Sequence, residues 1–321
     1  MRISLTSRDH VLLSKLSSFG VLSTRQLEKL VFQSVRSTTV LRRLRKLKRS
    51  GFINRVTGLP CGELSWIVTQ KGATRVCASE AIVSVSKNTL EHAIAISDVR
   101  MILEKCKAAH GWIPEHELKR QWGVERKWRK HEFTVVPDGM FGTLVSGQTR
   151  VLSLEVELHA KSKRLYRRLF EKYPDHVPIW KVWYVVPDDK IGKFILGLWK
   201  EMAPRGKEDW IVWSRLSDLK DDLLNARVYS NLGSLPISKW ITLQNPIAEA
   251  NARTNTAQTP AHGPSSVADN PPLATIQNHQ QLEAVSAIAE NSKNPENCQH
   301  YGELKRGAYD DFHEYTEEES L

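Results

Sequence analysis

Two short stretches carry the residues best suited to chemistry, Pro137-Asp138-Gly139 and Glu155-Val156-Glu157. Residues 151–158 alternate with period two, as a half-buried strand does. Val151, Ser153, Glu155 and Glu157 share one face of that strand, and Leu152, Leu154, Val156 and Leu158 share the other. A hairpin closing near Ser146-Gly147-Gln148 lays Asp138 beside Val156 and crowds three carboxylates into one patch of sheet. Like charges that close repel unless something positive sits among them, and hard divalent cations take oxygen ligands. Asp138, Glu155 and Glu157 are therefore candidate ligands of such a cation. The same residues also read as a simple turn and a solvated strand face.

The elements needed to hold these residues are legible around them, and residues 89–244 read as one α/β domain. Leu90, Ala93, Ile94, Ile96, Val99, Ile102 and Leu103 mark a buried helix from about Asn88 to Ala109. His92 interrupts its apolar pattern and reads as a core histidine or as a ligand or general base. Asp98 does not share its face well. A strand is expected over Trp112–Leu118, followed by a strongly basic segment, 119–131. That segment carries Lys119, Arg120, Arg126, Lys127, Arg129 and Lys130 around Trp122 and Trp128. Such a mixture suits unpaired bases and their backbone, or a surface loop with two packed indoles. After the hairpin come a helix from Ala160 to Tyr173 with Leu165, Leu169 and Phe170 inward, a strand over Ile179–Val186, a helix over Lys190–Met202 and a strand at Trp210–Trp213. The order implies a sandwich around a mixed sheet with a parallel crossover.

Residues 1–77 read as a winged helix-turn-helix. Thr6 caps a helix that runs to Phe19 with Val11, Leu12 and Leu16 inward. Ser23 and Gln26 form a capping box for a second helix. The third helix buries Val40, Leu41, Leu44 and Leu47 and exposes Arg42, Arg43, Arg45, Lys46, Lys48 and Arg49 with no acid among them. Arg and Lys on such a helix meet phosphates and guanine edges in the major groove. Arg36, Ser37 and Thr38 at its start are further candidates, and Arg55 on the following wing suits backbone contact. Residues 78–88 read as a linker.

Charge is distributed unevenly. Residues 245–321 hold four Lys/Arg against twelve Asp/Glu, and the rest of the chain forty-two against twenty-four, a balance of +18. A body this basic points to a polyanion such as double-stranded or locally single-stranded DNA. The segment 245–308 lacks periodicity and reads as disordered, and 309–321 as an acidic recognition or solubilising tail. No apolar run reaches membrane-spanning length and no signal peptide opens the chain, so a cytoplasmic protein is expected. Cys61, Cys77, Cys106 and Cys298 have no metal-ligand spacing and read as reduced thiols.

The helix and strand order, with Pro137-Asp138 and Glu155-x-Glu157, resembles the PD-(D/E)XK nuclease superfamily. Adding the N-terminal winged helix, Leu90-Glu91-His92 with Asp98, and Lys172-Tyr173, the chain is similar to the replication-relaxation family. Within it, the chain looks like the MobC-type relaxases of mobilisable plasmids and conjugative elements. The resemblance implies Mg²⁺ or Mn²⁺ held by Asp138 and Glu155, with a lysine supporting the attacking water. Glu157 stands where that lysine is usual, so either Glu157 is a third ligand or catalysis has been lost. Lys161, at the start of the following helix, is the first substitute cation and Lys172 a more distant one. Tyr173 is a candidate nucleophile by analogy with relaxases of other types, and alternatively a packing residue.

Two functions follow from these residues. One is a relaxase that binds its origin of transfer and nicks one strand, its acidic tail read by a type IV secretion coupling protein. The other is a non-catalytic DNA-binding regulator or accessory protein whose nuclease-like domain serves as a structural module. No sequence feature fixes an oligomeric state.

Overall fold

The computed structural model describes residues 3–78, 85–126, 135–173 and 179–241. Its first unit runs α1 (Ser7–Phe19), β1 (Val21–Ser23), α2 (Thr24–Val31), α3 (Ser37–Arg49), β2 (Ile53–Val56), β3 (Ser65–Val68) and α4 (Gln70–Thr74). The capping logic holds at both early helices. Thr6 and Asp9 satisfy each other's backbone N–H at the start of α1, and Ser23 and Gln26 do so for α2. Helices α1–α3 enclose Leu12, Leu16, Leu27, Val40, Leu44 and Leu47, with Trp66 of β3 beneath them. The strands form an antiparallel sheet ordered β1-β3-β2, with β2 and β3 as the wing. Helices α1–α3 and the β2–β3 hairpin thus make up most of this unit. In α1, however, Val11 is 48% exposed and Leu13 is buried in its place. Leu12, Leu13 and Leu16 give the i, i+1, i+4 stripe that faces the core.

The second unit runs α5 (Lys87–Lys105), β4 (His110–Pro114), α6 (Glu115–Arg126), β5 (Gly139–Val145), β6 (Gln148–Val156), α7 (Lys163–Glu171), β7 (Ile179–Val186) and α8 (Asp189–Met202). It ends with β8 (Ile211–Arg215), α9 (Leu216–Asp221), β9 (Arg227–Ser230), β10 (Gly233–Pro236) and α10 (Ile237–Trp240). Seven strands make one sheet in the order β10-β9-β8-β7-β6-β5-β4. The β6–β7 and β7–β8 pairs are parallel and the others antiparallel. Val99 and Leu103 of α5 pack with Leu152, Leu154, Trp183 and Trp240 on one face. Tyr166 and Phe170 of α7 and Ile195 of α8 pack with Val182, Tyr184 and Trp213 on the other. Trp183 and Tyr184, adjacent in β7, thus serve opposite layers, as a pleated strand requires.

Three expectations need correction. The strand begun near Trp112 ends at Pro114, and the first part of the basic segment is helix α6 rather than loop. Helix α7 starts at Lys163, not Ala160, and buries Tyr166 and Phe170 while Leu165 is exposed. Ser162 sets that start, its Oγ accepting from Leu165 N. The sheet also continues past β8 into β9 and β10, which are too short and polar to show a period.

Helix α5 belongs to both units. Its Leu90 packs with Val21, Leu59 and Ile67 of the winged helix. Gln26 Nε2 donates to Ile94 O at 3.0 Å and to Asp98 Oδ1 at 2.7 Å. Ser97 Oγ donates to Val21 O, and Arg100 donates to Ser18 O and Oγ. Asp98 also pairs with Lys220 of α9 at 2.6 Å.

Candidate active site

The β5–β6 hairpin aligns the acidic residues. Its turn is Ser146-Gly147, both at positive φ (49° and 78°), a two-residue connection that matches strand twist. Val145 pairs with Gln148 and Gly139 with Leu154. The next position sets Asp138 across from Glu155, one residue from the expected Val156, because the turn holds two residues and not three. Asp138 still meets Val156 through the backbone, its Oδ2 accepting from Val156 N at 2.7 Å. Beside it, a Cβ on Gly139 would stand 2.6 Å from Trp112, so the third residue of Pro-Asp-Gly is fixed by the indole of β4.

Each carboxylate has its own partner. Tyr173 OH donates to Glu155 Oε1 at 2.7 Å and lies 2.6 Å from Ser153 Oγ. Burial and the charge of Asp138 push Glu155 well above the usual carboxylate range, against the phenol's hydrogen bond and the charge of Lys161. Glu157, just past β6, is buried, donates its N–H to Val185 O and pairs with Lys161 Nζ. His92 Nε2 lies 2.7 Å from Val156 O, so that nitrogen carries a proton, and 3.2 Å from Asp138 Oδ2. Burial pulls the imidazole down, but the hydrogen bond and charge of Asp138 outweigh it and bring His92 up to about 9.

The site residues expected from the sequence therefore meet, but in altered roles. Tyr173 is buried and donates to Glu155, and burial with the nearby Glu155 charge pushes its phenol well up. Lys161 reaches Glu157 from the connection before α7, not from within a helix. His92 pairs with Asp138, while Asp98 serves the seam with the winged helix. Among the described residues no three His, Cys, Asp or Glu side chains converge as a metal site. Glu157 is turned to Lys161, which leaves Asp138 and Glu155 as the facing pair. That pair fits a hard divalent cation, since Mg²⁺ is commonly held by one or two carboxylates plus water and substrate phosphate oxygens.

Sequence reasoning missed Ser153, Tyr166 and Asp9. Tyr166 OH accepts from Lys161 N at 3.3 Å, and burial with the Glu157 charge pushes its phenol upward. Its place four residues into α7 was the available signal. Asp9 removes Arg43 from the DNA-facing set, because that guanidinium turns inward to pair with the buried carboxylate and donates to Ser4 O. Arg36, Thr38, Arg42, Arg45, Lys46 and Arg49 on α3 and Arg55 on the wing are exposed. Arg126, Lys127 and Arg129, like the segment from 242 onward, lie outside the residues whose side chains are described.

Residues 13–180, more than half of the chain, match the model of the replication-relaxation family. The chain belongs to the replication-relaxation family. No curated protein matches it. Among solved structures this family member is similar to the restriction endonuclease FokI bound to DNA, at 13% identity over 68% of this chain and 45% of that one, with a TM-score of 0.21. The chain thus spans less than half the length of that structure. In this replication-relaxation protein α5, β4, β5 and β6 are followed by α7 and a parallel β7, a mixed α/β arrangement. Among the described residues no helix is long and apolar enough to cross a membrane.

Proposed function

We propose that this protein binds duplex DNA at an origin of transfer through α3 and the β2–β3 wing, and cuts one strand with Mg²⁺ or Mn²⁺. The observation that carries this reading is Asp138, just before β5, held beside the end of β6 by Val156 N, with Glu155 forced upward by burial and by the charge of Asp138. Such a pair is relieved by a divalent cation and would hold one. When bound, a divalent ion polarises the phosphodiester and makes bound water a nucleophile near neutral pH. Tyr173 and Ser153 fix the orientation of Glu155, and His92 fixes both Asp138 and the Val156 carbonyl. Lys161, neutralising Glu157, keeps a cation beside the place where negative charge develops. The exposed cations of α3 would bring the duplex, with Arg36 at its start suited to base edges.

A second reading has its own observation. His92, Tyr173 and Lys161 each compensate one carboxylate from within the protein, as a non-catalytic DNA-binding accessory protein would need. One assay separates the two. Supercoiled plasmid carrying the cognate origin is incubated with protein and Mg²⁺, Mn²⁺ or chelator. Open-circular product that needs metal and vanishes in Asp138→Ala supports cutting. Supercoiled DNA left intact, alongside a retained mobility shift of origin DNA, sinks it and leaves the accessory role.

A further inference from the structure

We infer that the outward face of α7 is a second DNA-contact surface, on which Arg164 and Arg168 grip the phosphate backbone of the strand leading to the candidate site. The inference rests on the DNA-binding reading above, and not on cutting. Helix α7 carries Lys163, Arg164, Arg167 and Arg168 against a single acid, Glu171. Tyr166 and Phe170 bury one side; Lys163 and Arg167 flank it, and Arg164 and Arg168 lie opposite, facing away from the sheet.

Their pairing divides them. Lys163 and Arg167 both bridge to Glu201 of α8, at 3.1 and 3.2 Å, and so have a structural use. Arg164 and Arg168 are exposed, one turn apart, and neither has a partner among the described residues. Arg164 also sits in the first turn, where no acid is present. A cation there opposes the helix macrodipole. Local preference is broken without structural compensation, a pattern that marks functional positions. A phosphate would reverse that penalty, since it favours both the helix N-terminus and the guanidinium fork.

Position completes the argument. Residues 157–162 join the end of β6 to α7, and Lys161 ties them to Glu157 and to the Tyr166 hydroxyl. A backbone lying along α7 therefore runs up to the carboxylates. Arginine suits phosphate recognition better than it suits a lipid surface, which would require a broader apolar rim than exposed Leu165 and Phe194 provide.

The test uses the full chain and a fluorescein-labelled duplex titrated at several salt concentrations. The slope of log affinity against log salt reports the number of phosphates neutralised. The double variant Arg164→Gln/Arg168→Gln is expected to lower that slope by about two, with an unchanged thermal midpoint. Lys200→Gln, an exposed cation on α8, is expected to leave it unchanged. A slope equal to wild type in the double variant overturns the inference, as does an equal fall in Lys200→Gln. Wild-type protein that binds DNA but never cuts would end the cutting proposal and leave this measurement readable. Wild-type protein that does not bind DNA would end both.

Discussion

At the scale of single residues, Tyr173 makes the clearest distinction. A phenol that donates to Glu155 and meets Ser153 in a buried place is a support for the carboxylate. Tyr173→Phe is expected to destabilise the fold by about 1–3 kcal/mol, since it leaves buried groups without a partner. Cutting by wild-type protein is expected to leave no detergent-stable protein–DNA adduct on a denaturing gel. Acidity gives a second prediction. The pKa of His92 in the fold lies above its ordinary value, so its stabilisation is complete below about pH 6.5 and is lost as pH rises through about 9. Glu155 is also raised, so its ionisation destabilises the fold as pH rises through its folded value. The two effects have the same sign. In chelator, the thermal midpoint is expected to fall between pH 6.5 and 9, and His92→Gln to flatten part of that fall. None of these partnerships was legible beforehand. Asp138, Glu155 and Glu157 stood out by type and spacing, but Tyr173 with Glu155 and His92 with Asp138 are pairings across folded layers.

At the scale of elements, α3 contains two kinds of arginine that its sequence presents alike. Arg43 closes a pair with Asp9, which is almost wholly buried, whereas Arg45 points to solvent. Arg43→Gln is expected to cost about 3 kcal/mol in denaturant unfolding, because a buried carboxylate loses its cation. Arg45→Gln is expected to change stability by less than about 0.5 kcal/mol while weakening binding to duplex DNA in a titration. The apolar stripe of α3 was readable because Val40, Leu44 and Leu47 recur with helical period. Strand β7 was readable to the residue, since seven of its eight positions are apolar or aromatic, all but Lys181. Helix α6 was not, because its cations and aromatic residue mask a stripe in which Leu118 is buried. The hairpin register was off by one for a simple reason. Whether Ser146-Gly147 turns with two residues or three depends on backbone dihedrals that composition only biases.

At the scale of the whole molecule, α5 is the shared member. One side of it carries Leu90, Ser97 and Arg100 into the winged helix, and the other carries Val99 and Leu103 into the sheet core. Unfolding by heat is therefore expected to show a single cooperative transition for both units, seen at the same midpoint by far-ultraviolet dichroism and tryptophan fluorescence. Asp98→Ala, which removes the acceptor shared by Gln26 and Lys220, is expected to lower that transition without separating it in two. Resolution into two transitions would show that the units melt apart.

Under the proposed DNA-binding role, that seam has a practical side for anyone wishing to redirect the protein to a new target site. Exchanging the N-terminal unit wholesale for one of different preference would import foreign residues opposite Leu90, Ser97, Asp98 and Arg100. The graft would then have to match a docking surface as well as a binding sequence. Retargeting is better sought by changing only the outward positions of α3, such as Arg42, Arg45 and Arg49, which share no contact with that surface among the described residues.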